Sequence, residues 1–379
     1  MTFNKGRSRS DALLLLASVA MVLYLITVAF DGLWRGHIHT GDTDNLVAGA
    51  RTALDCLDQG VTRNCGLITG TFHTMTYPYP LLQYLVAAPF IRLHAPDATV
   101  VYCLAVVSLL AFCVCILVMW RATRLAPSLL RVLAVAAIVG SSAAYQSTSG
   151  FGEMIGACAI LVACATLLGN KWKWTFLTAF CACIAKETVW PFLLLMVIYA
   201  AVRNRKSPGV RKSIGLATLG VATAVLSNSI FNIFRFGSVV NRQYLEQQFR
   251  TTPNSRVFQY SAAVWFSPSS GILLFWPIFT VILVWTVTQR LRNAAAATGT
   301  EKFQDLLIVM FIGGLSLSLA LWFTPFGWIA FGPRLAVPFM PALVLLLVDR
   351  WRDSEQLVRS KRGRVALLVV SEPLVVLGL

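Results

Sequence analysis

The chain has 379 residues, of which 57% are hydrophobic and only 13% charged, with a formal net charge of +16. Apolar stretches of about 20 residues recur along its whole length, and each is long enough to cross a bilayer as a helix because backbone polar groups cannot stay unpaired in lipid. Such a balance excludes a soluble globular enzyme. The basic excess does not point to nucleic acid, because it falls in short loops between apolar runs.

In chain order, the basic residues 1–10 precede the apolar residues 12–30. No small-residue cleavage signal follows, so this reads as a retained first helix rather than a removed signal peptide. The polar stretch 31–58 then holds five of the sixteen carboxylates. Within it, Leu46, Val47, Ala50, Leu54 and Leu57 recur on one side of a helical pattern, with Asn45, Arg51, Thr52, Asp55 and Asp58 on the other. That spacing predicts an amphipathic helix over residues 45–58 lying on the membrane surface. Asp44 stands where an N-cap is expected, and a capped carboxylate stays ionised and fixed in direction. His37-x-His39 followed by Asp42-x-Asp44 invites a metal reading, but the spacing matches no fixed ligand template. The plainer reading is a solvated polar loop. Cys56 and Cys65 share this first loop and suit a disulfide in an oxidising compartment, while the other seven cysteines sit in apolar helices as small hydrophobes.

Further spans are expected at residues 81–94, 98–120, 132–145, 153–169, a bent hairpin over 175–202, 214–234, 272–288, 306–323, 335–348 and 365–379. The 14 residues of 81–94, with Pro89 inside, suit a half-span or interfacial segment better than a crossing. That choice keeps the loop 121–131 on the same side as the other basic loops. Twenty-two of the thirty-two Lys and Arg residues then lie on one side, the positive-inside pattern. The last run stops abruptly at Leu379, as a truncated member of a longer type would. The expected fold is all-α: one polytopic transmembrane helical bundle of about 10–12 membrane segments over residues 1–379. Its external first loop (31–79) carries surface-lying helices, and a second external loop spans 235–269.

Lys186 and Glu187 interrupt the apolar run 175–202. A charge at the bilayer centre costs roughly 2.5–3.5 kcal/mol on insertion scales, so a bend that lifts the pair to the surface is the cheaper arrangement. Adjacent residues on a helix do not face each other, so each needs its own partner. Lys186 suits a phosphate as a point charge, and an ordinary salt bridge is the alternative. Glu153, after the glycine-rich turn at Gly150–Gly152, reads as only a favourable charge at a helix N-terminus. Arg334 sits between a Gly-Pro turn and an apolar span, placed to hold a lipid phosphate or to snorkel to head groups.

The order of these features resembles the polytopic glycosyltransferases of the C-type fold, which use polyprenyl-phosphate sugars. Protein O-mannosyltransferases and the lipid-linked sugar transferases of bacterial envelopes belong to that class. The resemblance covers nearly the whole chain: one helix, an external loop with an early Asp, a surface helix, and then Tyr77-Pro78-Tyr79-Pro80-Leu81, where a Tyr separates the prolines of the family's aromatic-Pro-Pro-Leu pattern. Ala185-Lys186-Glu187, Asn232…Arg235-Phe236-Gly237, Ser267-Pro268…Gly271 and Phe331-Gly332-Pro333-Arg334…Pro338…Pro341 follow.

The resemblance implies inverting transfer on the extracytoplasmic face of a bacterial plasma membrane. The loop Asp would be the general base: Asp44, with Asp42 as the alternative or supporting carboxylate. The family's usual Asp-Glu pair is replaced here by Asp42-Thr43-Asp44-Asn45. Lys186 and Arg334 would hold the donor phosphate, with Glu187, Glu153, Arg51 and Tyr77 in support. The partners implied are a polyprenyl-phosphate sugar donor, a glycan, lipid or protein acceptor, and membrane lipids. No nucleic acid, metal or cofactor is implied, since phosphate is a competent leaving group. A transporter or lipid flippase is the rival reading. Transporters usually carry internal repeats with paired broken helices, and the Lys186 hairpin has no counterpart in the other half.

Overall fold

A computed structural model describes residues 41–65, 79–150, 152–241, 256–293, 295, 297–322 and 333–351. Its described elements are helical. They are α1 (Gly41–Asp58), α2 (Leu81–Arg92), α3 (Asp97–Ala122), α4 (Ser128–Val139), α5 (Ser142–Gln146), α6 (Glu153–Leu168) and α7 (Trp172–Ala185). Then come α8 (Trp190–Arg203), α9 (Val210–Phe236), α10 (Val257–Phe266), α11 (Ile272–Phe275), α12 (Pro277–Arg292), α13 (Gly299–Ala320) and α14 (Met340–Asp349). Two 3-10 turns, Glu187–Val189 and Arg334–Ala336, precede α8 and α14.

Among the described residues, three helices are long and apolar enough to cross a membrane: α3, α9 and α13, with 26, 27 and 22 residues. Their outward faces carry exposed Leu110, Leu117, Leu219, Leu226, Ile230, Val309 and Leu317. A belt of that size is untenable in water and ordinary in lipid. The protein is a polytopic membrane helical bundle, as the composition leads one to expect. The 12-residue α2 is about 18 Å long against about 30 Å of hydrocarbon, so it does not cross alone. It lies beside α1 on a small apolar cluster of Leu46, Val47, Ala50, Tyr84, Ala87, Ile91, Val101 and Leu104.

The remaining helices run between two chemically different ends. At one end lie the α6–α7, α8–α9 and α12–α13 connections, and contacts between chain-distant residues show that they gather together. Asn170 after α6 donates to Ser207 Oγ and the Pro208 carbonyl at 2.9 Å each, and Asn204 after α8 donates to the carbonyls of Leu167 and Leu168 at 3.2 Å. Arg203 pairs with Asp349 at 3.2 Å, Arg290 with Asp305 at 3.0 Å, and Arg350 with Asp305 at 2.9 Å. This is the basic end, where the Lys and Arg of the short loops collect. The opposite end holds the starts of α6, α8 and α14 and the finish of α7 and α9.

The core centres on α6 and α14, and all nine residues Met340–Val348 are buried. Helices α7 and α9 approach closely at Gly220, where a Cβ would stand 2.5 Å from the Phe176 carbonyl oxygen. Several boundaries differ from the sequence expectation for clear reasons. The surface helix begins at Gly41, four residues early, so Asp44 sits inside its first turn rather than capping it. Its Leu57 is 55% exposed instead of packed. The expected span 272–288 is broken before Pro277, which lacks an amide and starts α12 afresh. Helix α10 lies within the stretch 235–269 that was expected as loop.

Candidate active site

The site end is organised by the break between α7 and α8. Lys186 takes an extended conformation (φ −152°, ψ 110°), which ends α7, and the 3-10 turn Glu187–Val189 hands the chain to the Trp190-Pro191 start of α8. Extended backbone at Lys186 sends it and Glu187 in different directions, and their partners differ accordingly.

Glu187 pairs with Arg235 at the end of α9, whose side chain is wholly buried. Arg235 also donates to Asn232 Oδ1 from Nε at 3.0 Å and Nη2 at 2.7 Å, and from Nη1 to the Tyr79 carbonyl at 2.6 Å. The rings of Phe231 and Phe236 flank it at 4.6 and 4.5 Å. Asn241 Nδ2 donates to the other Glu187 oxygen at 3.4 Å. A buried charge is tolerated only when paired and hydrogen-bonded, and this guanidinium is both.

Glu153, at the start of α6, accepts from Arg334 Nε at 2.8 Å across 181 residues of sequence. Both side chains are nearly closed to solvent, 6% and 11% exposed respectively. The second Glu153 oxygen is buried without a hydrogen-bond partner. Glu153 is therefore more than a charge at a helix N-terminus: it ties α6 to the turn before α14.

Lys186 stands between these pairs. Its side chain makes no ion pair or hydrogen bond with any described residue. Burial pulls its pKa below the ordinary lysine value, against the carboxylate of Glu153, which raises it; Arg334 lowers it further and Glu187 raises it. Among the described residues three cations and two carboxylates meet here, one net positive charge, and Lys186 is the cation without a fixed counter-ion among them.

Helices α1 and α2 reach the same end. Buried Thr43, in the first turn of α1, fills the space a side chain at Gly150 would need, with a Cβ there 2.6 Å from Thr43 Cγ2. Gln83 of α2 does the same at Gly152, where φ is +72° and a Cβ would meet Gln83 Nε2 at 1.9 Å. Both helices thus clamp the turn that delivers Glu153. Asp44 follows Thr43 in α1 and is exposed. The structure gives Asp42 a place in the first turn of α1, while Tyr77, His37 and His39 lie outside the described residues. Arg51 is held elsewhere: Nη2 pairs with Asp97 at 2.5 Å and donates to the Ala95 carbonyl at 2.8 Å, fastening α1 to the start of α3. A Cys56–Cys65 disulfide closes the end of α1, and the amides of Asn64 and Cys65 donate to the carbonyls of Ile233 and Phe234 at 3.2 and 2.8 Å.

Between α1, α2 and the last turns of α9 runs a groove of about 550 Å³, lined by Ala53, Leu57, Leu85, Ala88, Ile230 and Phe234 among others. It is almost entirely apolar. Phe231 and Tyr84 line its inner side, and Arg235 lies against the Phe231 ring. Burial pushes the Tyr84 hydroxyl pKa up to about 12, so it remains a neutral group there.

No protein-family model matches the sequence, and neither does any curated protein. Among solved structures, the chain is similar to ArnT from Cupriavidus metallidurans bound to undecaprenyl phosphate, with a TM-score of 0.48 and 15% identity over 92% of this chain and 62% of that one. The apo state of the same protein gives a TM-score of 0.46 at 15% identity, over 93% and 62%. This chain thus spans about 62% of the length of the protein it resembles.

The structure brings Lys186, Glu187, Glu153 and Arg334 together, and Asp44 follows Thr43, the residue packed against Gly150 in the turn before Glu153. Reading residues alone missed Arg235 and Asn232 as members of the cluster. Their signal is present: an Asn and an Arg three apart at the end of an apolar helix share one face and suit one bidentate contact.

Proposed function

We propose that the protein is an inverting glycosyltransferase. It moves a sugar from a polyprenyl-phosphate donor to an envelope glycan, glycolipid or protein acceptor on the extracytoplasmic face of a bacterial plasma membrane. The observation that carries this reading is Lys186, a largely buried ammonium without a fixed counter-ion among the described residues, beside two carboxylates that already have arginine partners. A group of that kind is suited to an anion supplied by a ligand, and a phosphate on a lipid reaches it from the membrane. The apolar groove against Arg235 is suited to the first isoprene units of the same molecule.

In the reaction, Asp44 takes the proton from an acceptor hydroxyl, with Asp42 as the alternative base. The hydroxyl oxygen attacks the anomeric carbon from the face opposite the phosphate, the carbon–oxygen bond to the phosphate breaks, and the phosphate leaves with that electron pair. Lys186 offsets the charge gained by the leaving phosphate, and Arg334, oriented by Glu153, adds a second cation. Arg51 and Glu187 act in support by fixing α1 and α9, and Tyr77 is assigned a supporting role. A positioned base of this type contributes about 10²–10⁴ in rate. Two features favour the extracytoplasmic assignment of the site end: the basic loops gather at the opposite end, and the Cys56–Cys65 disulfide belongs to an oxidising compartment.

The test is transfer of radiolabelled sugar from a polyprenyl phosphate by purified, folded protein. Asp44→Asn is expected to lower the rate by at least about a hundredfold, the low end of general-base contributions. Full activity in both Asp44→Asn and Asp42→Asn rules out the assigned base. Movement of labelled lipid across vesicles without transfer favours the flippase reading.

A further inference from the structure

The basic end carries a second cavity, on the far side of the bundle from the site just described. It has a volume of about 500 Å³ and lies where the end of α8, the start of α13 and the end of α14 meet. Its lining includes Arg203, Arg205, Lys206 and Arg350 against Glu301 and Asp349, an excess of two positive charges.

The carboxylates in it are already committed. Asp349 accepts from Arg203 at 3.2 Å and from the Tyr199 hydroxyl at 3.4 Å. Glu301 closes a capping box with Thr298, accepting from its amide at 2.9 Å, and pairs with Arg350 at 3.2 Å. Arg205 and Lys206 make no ion pair or hydrogen bond with any described residue. Thr300 stands one helical turn before Gln304 on the same face of α13 and lines the cavity with it. Gln304 decides the matter. It is 5% exposed, lines the cavity, and makes no side-chain hydrogen bond with any described residue. Its amide opens into a cationic hollow at the first turns of a 22-residue helix, where the helix dipole also favours an anion.

We propose that this cavity is a binding site for a phosphate-class anion, held by Arg205 and Lys206 with Gln304 donating from below. The anion is either the phosphodiester headgroup of an acidic lipid or a free phosphate, and the same donors serve both. The site is independent of the donor-phosphate cluster at the opposite end.

Binding is measured on the full chain in nanodiscs of phosphatidylcholine, in the Lys186→Gln background, so that the site-end cluster contributes little. The probes are inorganic phosphate and dioctanoyl phosphatidylglycerol, each titrated at constant ionic strength against the thermal unfolding midpoint and by direct calorimetry. Saturable binding of at least one probe is expected. Loss of charge-assisted hydrogen bonds should weaken it by about tenfold or more in Arg205→Gln/Lys206→Gln, whose side chains are at the surface and leave the fold intact. Gln304→Leu should weaken it several-fold without lowering the unfolding midpoint of the unliganded protein. Binding of phosphatidylglycerol alone assigns the site to a lipid headgroup, and binding of inorganic phosphate alone assigns it to a soluble anion. Absence of saturable binding by either probe, or binding unchanged in both variants, overturns the proposal. Loss of activity in the transfer assay with this binding intact would strike only the glycosyltransferase reading.

Discussion

Replacing Arg235 with Gln should be among the most damaging single changes in the bundle. The wholly buried guanidinium makes two hydrogen bonds to Asn232 Oδ1, one to the Tyr79 carbonyl at 2.6 Å, and the ion pair with Glu187. Glutamine is too short to keep these contacts together. Glu187, whose side chain is 10% exposed, would retain only the 3.4 Å contact from Asn241 among those described. Removing one partner of a buried pair typically costs about 3–5 kcal/mol, most of it the penalty of the charge left behind. That origin gives the prediction its sharpest form. In a double-mutant cycle, Glu187→Gln should cost a similar amount alone, and the double variant should cost far less than the sum. A coupling of about 2–3 kcal/mol is expected, the upper part of the range for contacting residues. The assay is reversible unfolding in mixed micelles, with helicity and tryptophan fluorescence followed together. A cost below about 1 kcal/mol for Arg235→Gln, with additive energies in the cycle, would refute the view that this pair holds α9 to the break before α8.

Gly220→Ala should destabilise the protein by about 1–3 kcal/mol, because backbone atoms of Phe176 and Phe180 stand 2.5 and 3.2 Å from the new Cβ and neither yields without moving α7. Gly215→Ala on the same helix, with nothing within 4 Å, should be neutral or stabilising by up to about 1 kcal/mol, and equal effects at the two glycines would contradict the close approach. Because burial lowers the Lys186 pKa, lipid-phosphate affinity should fall as pH rises through that lowered value, while the empty protein gains stability from there up to the ordinary lysine pKa, where the unfolded chain binds the proton and the folded one does not. Lys186→Gln should flatten both profiles. In intact cells, Cys56 and Cys65 should react with a membrane-impermeant maleimide only after reduction; reaction that requires permeabilised cells would place the first loop on the wrong side.

Much of the architecture was readable from local pattern. The apolar face of α1 shows in the spacing of Leu46, Val47 and Ala50, all buried. Two adjacent ionisable residues in an apolar run announce the break at Lys186, since a continuous helix would leave both in lipid. The basic loops mark one end of the bundle by a rule that needs no coordinates. What was not readable is pairing over distance. Nothing local says that Glu153 meets Arg334 181 residues later, or that Glu187 takes Arg235, 48 residues on, and leaves Lys186 without a fixed counter-ion among the described residues. The same limit hid the partner of Arg51, which reads as part of the polar face of the surface helix and fastens α1 to Asp97, 46 residues on. Helix α10 was hidden because its ten residues lie between polar stretches and lack a capping side chain.

The most direct measurement of the central claim is the affinity of a short-chain polyprenyl phosphate for the purified protein and for Lys186→Gln, read by calorimetry at neutral pH. Loss of one charge-assisted contact of about 1.5–3 kcal/mol predicts weakening by roughly 10- to 150-fold, with Lys186→Arg in between. Equal affinity in all three proteins would contradict the account.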